Sequence, residues 1–183
     1  MVLAFPEHLR EQAFKTIEFM RPTRIPPRFG FHVNLDGETL HLPERIYNPA
    51  VARAERFGRA LPLIPYCLYT RHNDGYVRQR HLIKLLRAEE PWIVPFVLRL
   101  VGEYVVEILE VLHEHRDVLG GEQYAEFTDQ NPEFVALTKQ RIVSYWDLYY
   151  RERFPEFSKY PGFSVADHLG WWNDKDARRL RLA

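Results

Sequence analysis

The residue types best able to do chemistry in this chain gather at one turn, Thr70-Arg71-His72-Asn73-Asp74, with Arg78 and His81 just beyond it. An imidazole, a carboxylate and guanidinium groups at a turn between two helices are a set that can move protons or hold an anion. Arg71, His72, Asp74 and Arg78 are therefore the candidate catalytic or binding residues, and Glu103 and Glu107 are the carboxylates that join them from the following segment. The same residues have a purely structural use. Asn and Asp close turns and cap helices. His81 falls on the apolar side of its helix, where a hydrogen-bonded core histidine is expected.

Three other groupings compete with this turn. Glu103, Glu107, Glu110 and Glu114 step by four, three and four, which places them on one face of a helix, and Glu110 with His113 forms a Glu-x-x-His pair. Di-iron carboxylate bundles need that pair on two helices plus two more glutamates. Glu38-Thr-Leu-His41 has the spacing but belongs to a hairpin, so a solvated helix edge is expected instead. The basic run Arg71, Arg78, Arg80, Lys84, Arg87 sets Arg80, Lys84 and Arg87 on one face of a helix over 76–87, an arrangement able to meet phosphates. Mutual neutralisation of the acidic and basic stripes across a short connection accounts for both and disfavours nucleic acid. His32 and His41, opposed on a hairpin, are the candidate metal pair, without an evident third ligand.

No GxGxxG, Walker, HExxH, CxxC or GxSxG pattern is present, so no cofactor is expected.

These residues must be positioned by a mainly α framework. Residues 6–20 read as an amphipathic helix that buries Leu9, Phe14, Ile17 and, at its end, Met20, and the proline-rich RPTRIPPRF stops it. Phe29, Phe31, Val33 and Leu35 alternate with Arg28, Gly30, His32 and Asn34 before Asp36-Gly37, the signature of a two-residue type I′ hairpin over 28–42. Its register pairs Val33 with Leu40, Phe31 with Leu42, His32 with His41 and Asn34 with Thr39. A short helix is expected from Pro49 to Arg59 and another from Leu61 to Thr70. Asp74 is placed to cap the helix that buries Val77, Leu82, Leu85 and Leu86.

The spacing Ile93, Val97, Leu100, Tyr104, Ile108, Val111 predicts one long helix from Pro91 to about His115, kinked at Gly102. Asn131-Pro132 opens a helix to about Arg153 that ends in the aromatic YWDLYY. Residues 154–183 are expected to form an aromatic-rich strap with a short helix capped by Ser164 and a basic RRLRLA tip.

Pro65, Asp74, Val77 and Arg78 resemble the HEAT-type helical repeat, in which a proline-bearing helix, an acidic turn and a Val-Arg opening succeed one another. Pro95, Glu103 and Val105 echo the pattern thirty residues on, and Asn131-Pro132-Glu133-Phe134 echoes it again. The resemblance covers residues 61–115. It implies a helical scaffold for protein–protein contact, and arrays of this kind need about three units to bury a continuous core.

Composition bounds the rest. At 183 residues, 46% of them hydrophobic, the chain suits one globular domain over 1–183, with residues 49–153 as its helical core. Twenty-five basic residues balance twenty-five acidic ones, which suggests neither a nucleic-acid nor an anionic-membrane partner. The lone Cys67 fits a reducing cytoplasm. The first residues lack a basic n-region, and the charges through 91–112 argue against a membrane span.

The expected architecture is a single-domain HEAT-like array of antiparallel helices carrying one N-terminal hairpin. The expected function is a non-catalytic interaction or scaffold module with an unknown protein partner, homo-oligomerisation being open. The alternatives are an enzyme or small-molecule binder at Arg71–Asp74 and Arg78, and nucleic-acid binding through 76–87.

Overall fold

Asp36 and Gly37 adopt positive φ values of 50° and 82°, and this two-residue turn locks the hairpin of β1 (Gly30–Leu35) and β2 (Glu38–Pro43) into the register expected for it. Val33 and Leu35 of β1 and Leu40 and Leu42 of β2 are buried. On the opposite face Thr39 donates to Asn34, and the imidazoles of His32 and His41 stack 4.6 Å apart.

The computed structural model describes residues 1–20, 22–49 and 63–172. They are mainly helical, with this small antiparallel sheet near the N-terminus. The helix expected over Pro49–Arg59, the first residues of the one expected from Leu61, and the RRLRLA tip lie outside the described residues. Among the described residues no helix is long and apolar enough to cross a membrane. The chain divides into two compact units, Met1–Val97 and Leu98–Ala183.

In the first unit α1 (Arg10–Phe19) buries Ala13 and Thr16, with Leu9 before it and Met20 after it also buried. Phe14, expected inside, is exposed. The buried stripe runs 9, 13, 16, 20, so the helix sits on small side chains that allow close approach, and the bulkier phenyl ring is turned outward. The Glu38 carboxylate accepts from the Glu7 amide at 2.9 Å and from Arg10 at 3.3 Å, which ties β2 to the N-terminal segment. Helices α2 (Leu63–Tyr69) and α3 (Gly75–Leu85) form a packed pair joined by the polar turn. Asp74 caps α3 as expected, its Oδ1 accepting from the Tyr76 amide at 2.8 Å.

The expected long helix over 91–115 is broken. A 3₁₀ turn at Pro91–Ile93 leads into α4 (Val94–Leu98) and a second 3₁₀ turn at Arg99–Gly102. Glu103 and Val105 are then extended before α5 (Val106–Glu114) begins. The apolar spacing runs straight through because both sides of the break are buried. A Cβ on Gly102 would stand 3.0 Å from Thr138 Cγ2, so the glycine admits a close approach just where the chain tightens.

In the second unit α6 (Glu122–Gln130) and α7 (Pro132–Tyr145) meet at Asn131. Asn131 is the N-cap residue of α7 and Pro132 its first residue, and the Asn131 side-chain amide is turned the other way. It donates back to the Phe127 carbonyl at 2.8 Å, sealing the end of α6. After α7 the chain makes a π-helical turn over Trp146–Tyr150.

Beyond it lies α8 (Pro161–His168), within which Ser164 sits rather than capping it. The short helix expected in this segment is present. It buries Pro161, Gly162, Phe163, Val165 and Ala166 and packs chiefly on α5. A Cβ on Gly162 would lie 2.8 Å from the Tyr160 ring and 3.4 Å from both Ile142 and Leu109, so the bare backbone is what allows this approach.

Candidate functional site

Arg71, His72, Asp74 and Arg78 come together at the α2–α3 turn, and their donors face inward. Both guanidinium groups are 0% exposed. Arg71 donates from Nη2 to the Glu44 carbonyl at 2.8 Å and from Nε to the Pro43 carbonyl at 3.2 Å. Arg78 donates from Nη1 to the His72 and Asn73 carbonyls at 2.8 and 3.0 Å. A one-residue parallel bridge completes the arrangement. The Ile46 amide donates to Arg71 O at 2.8 Å, and the Asn73 amide donates to Ile46 O at 3.0 Å. Segment 43–48 is thus clamped to the turn through backbone carbonyls, which a planar guanidinium with five donors is shaped to collect.

The tautomer of His72 follows from its neighbours. The Asp74 amide donates to Nδ1 at 3.0 Å, so Nε2 carries the hydrogen that goes to the Asn48 carbonyl at 2.9 Å. The ring is neutral in this network, and burial holds its pKa below the ordinary histidine value. His81 is the core histidine expected of it. Its Nδ1 lies 2.7 Å from the Val77 carbonyl, its ring centroid is 4.9 Å from that of Tyr69, and burial lowers its pKa as well. Burial also pushes the Cys67 thiol well above its usual range. His72 and His81 are thus both held by hydrogen bonds to backbone groups.

Glu103 and Glu107 belong to the second unit. The break at 103–105 means that the four glutamates do not share one helix. Glu107, Glu110 and Glu114 lie on α5, and Glu103 precedes it and is buried. Glu110 pairs with Arg153 at 2.7 Å inside that unit. His32 and His41 are stacked on the hairpin's outer face, with the His41 ring lying over Gly30, where a Cβ would have no room. Among the described residues no group of three or more His, Cys, Asp or Glu side chains could hold a metal ion.

Two surface features take shape only in three dimensions. At the root of the hairpin, Ile25, Arg28, Phe29, Glu44, Arg45 and Tyr47 line an open cavity of about 480 Å³. In the second unit a row of tyrosines runs across the π turn. Ring centroids are 6.0 Å apart for Tyr104 and Tyr145, 6.2 Å for Tyr145 and Tyr149, and 6.4 Å for Tyr149 and Tyr150.

Tyr150 anchors this row. Its hydroxyl donates to Tyr104 O at 2.6 Å and accepts from the Val106 amide at 3.3 Å, stapling the break ahead of α5. Tyr149 is 64% exposed and its neighbour Leu148 is 69% exposed, while Trp146 and Trp171 are buried. The aromatic density of YWDLYY was legible. That its rings meet Tyr104, some forty residues earlier, was not. No family model matches the chain, and no curated protein or solved structure matches it.

Proposed function

We propose that this chain is a non-catalytic helical interaction module of HEAT type, with its contact surface on the tyrosine row at Tyr104, Tyr145 and Tyr149. One observation carries the proposal: aromatic rings stand at the surface on backbone that is rigidly stapled from beneath by Tyr150. Tyrosine combines a large apolar contact with a polar tip and loses little rotamer freedom, so fixed, exposed tyrosines suit protein recognition. The partner is a protein segment that lays apolar side chains on the rings and exchanges hydrogen bonds with the phenol hydroxyls.

Two features support the HEAT comparison. Pro65 lies in the first helix of a packed pair whose second helix is capped by Asp74. A break in the helix also separates Pro95 from α5 at 103–105. The enzyme alternative is weakened because Arg71 and Arg78 direct their donors into the backbone. A cytoplasmic setting fits the single buried thiol of Cys67.

The test is affinity purification of the full chain from its native source, comparing wild type with a Tyr104→Ser, Tyr149→Ser double variant. The expected outcome is a co-purifying protein whose recovery falls at least about tenfold in the variant, as loss of aromatic anchors does at interfaces, with the thermal midpoint unchanged. Undiminished recovery would remove the tyrosine row from the interface.

A further inference from the structure

A second surface, independent of the tyrosine row, lies on the outer side of α3. Tyr76, Arg80, Ile83, Lys84 and Arg87 are all exposed, Arg87 in the turn that closes the helix. At the helical advance of about 100° per residue they fall within about a third of the circumference. The face opposite buries Val77, Arg78, His81, Leu82 and Leu85. Gly75–Leu85 contains no acidic residue, and within their own unit Arg80, Lys84 and Arg87 form no ion pair with a described residue.

A helix C-terminus favours cations, which accounts for Lys84 in the last turn and Arg87 after it. It accounts neither for Arg80 in mid-helix nor for Tyr76, 79% exposed on the same line. The helix is also held from behind by Arg78 and by the Asp74 cap, so this face is presented with little ordering left for a partner to impose.

We propose that this face docks an acidic amphipathic helix of a partner protein, its carboxylates at i, i+4 and i+7 and an apolar side chain seated against Tyr76 and Ile83. Arg80 to Lys84 to Arg87 rises by roughly 6 and then 4.5 Å, steps that a helix lying alongside reproduces with Asp or Glu at those positions. Nucleic acid is the other polyanion to consider. Three cations neutralise few phosphates, the chain has no net positive charge, and Glu89 and Glu90, both exposed, follow Arg87 and repel a continuing phosphate backbone. The balance of charge favours a protein.

The experiment selects from a phage-displayed library of surface-randomised helices against the full chain, with an Arg80→Glu, Lys84→Glu double variant as counter-selection. The expected winners carry Asp or Glu at i, i+4 and i+7. They bind wild type at least about tenfold more tightly than the variant and weaken between about 50 and 200 mM salt. Lysine in place of those acids should restore binding to the variant. Failure to enrich such helices, or equal binding to both proteins, would overturn the proposal. So would displacement of a selected helix by a single-stranded RNA oligonucleotide at lower concentration, which would assign the face to nucleic acid. A thermal midpoint lower in the variant by more than about 5 °C would mean that the cations serve the chain's own stability, and the proposal would fail.

Discussion

Arg71 and Arg78 are buried cations used as brackets for carbonyl groups at the end of β2 and in the turns. Buried carbonyls need donors, and one guanidinium reaches two of them in a fixed geometry where an ammonium reaches one well. Arg71→Lys is therefore expected to lower stability by about 1–3 kcal/mol and Arg71→Ala by about 3–5 kcal/mol, measured by urea unfolding of the full chain. A lysine variant as stable as wild type would mean that the fork geometry is immaterial. The sequence displayed these arginines beside His72 and Asp74 and so suggested chemistry. It could not display the acceptors of Arg71, because Pro43 O and Glu44 O are backbone groups of a segment nearly thirty residues away, and a backbone carbonyl has no signature in residue type. Asp74 was legible for the converse reason, since its partner is the amide of Tyr76, two residues on.

Among the elements, the register of the hairpin was readable to the residue because a two-residue turn leaves one pairing. The helix over 91–115 was misread because apolar periodicity reports burial, not continuity. Glu103 is itself buried, and Val105 is extended beside the buried Val106. The first stripe was misread through bulk, with Phe14 drawing attention from Ala13 and Thr16. At the break, one phenol replaces missing helical bonds by serving Tyr104 O and the Val106 amide together. Tyr150→Phe removes both bonds while keeping the ring, and a loss of about 1–2 kcal/mol is expected. Amide hydrogen exchange should show Val106 exchanging faster in that variant. Unchanged protection would show that the staple contributes nothing there.

At the scale of the whole molecule, the mainly helical class with one N-terminal hairpin followed from period and turn chemistry, while the fate of the charged stripes did not. Spacing shows which charges share a face, but their partners are set in three dimensions, as Arg153 is for Glu110.

Stability should depend on pH through His72 and His81. Both have pKa values lowered by burial, so the unfolded chain binds protons more readily than the folded one. Their neutral forms support the fold fully above the unfolded value of about 6.5, and that support is lost as pH falls below it. Denaturant unfolding between about pH 7.5 and 5.5, a window chosen around that value, is expected to show stability declining toward acid. His81→Phe keeps an aromatic ring beside Tyr69 and should flatten the decline. Equal slopes would place the proton elsewhere.

The clamp between residues 43–48 and the α2–α3 turn has a topological consequence. Its bonds join stretches well separated along the chain and make no use of the peptide links between them. Cleaving the backbone between Pro49 and Leu63 would leave two fragments, each carrying one half of a complementary set of donors and acceptors. Such a chain is suited to being cut in two and reassembled from its pieces.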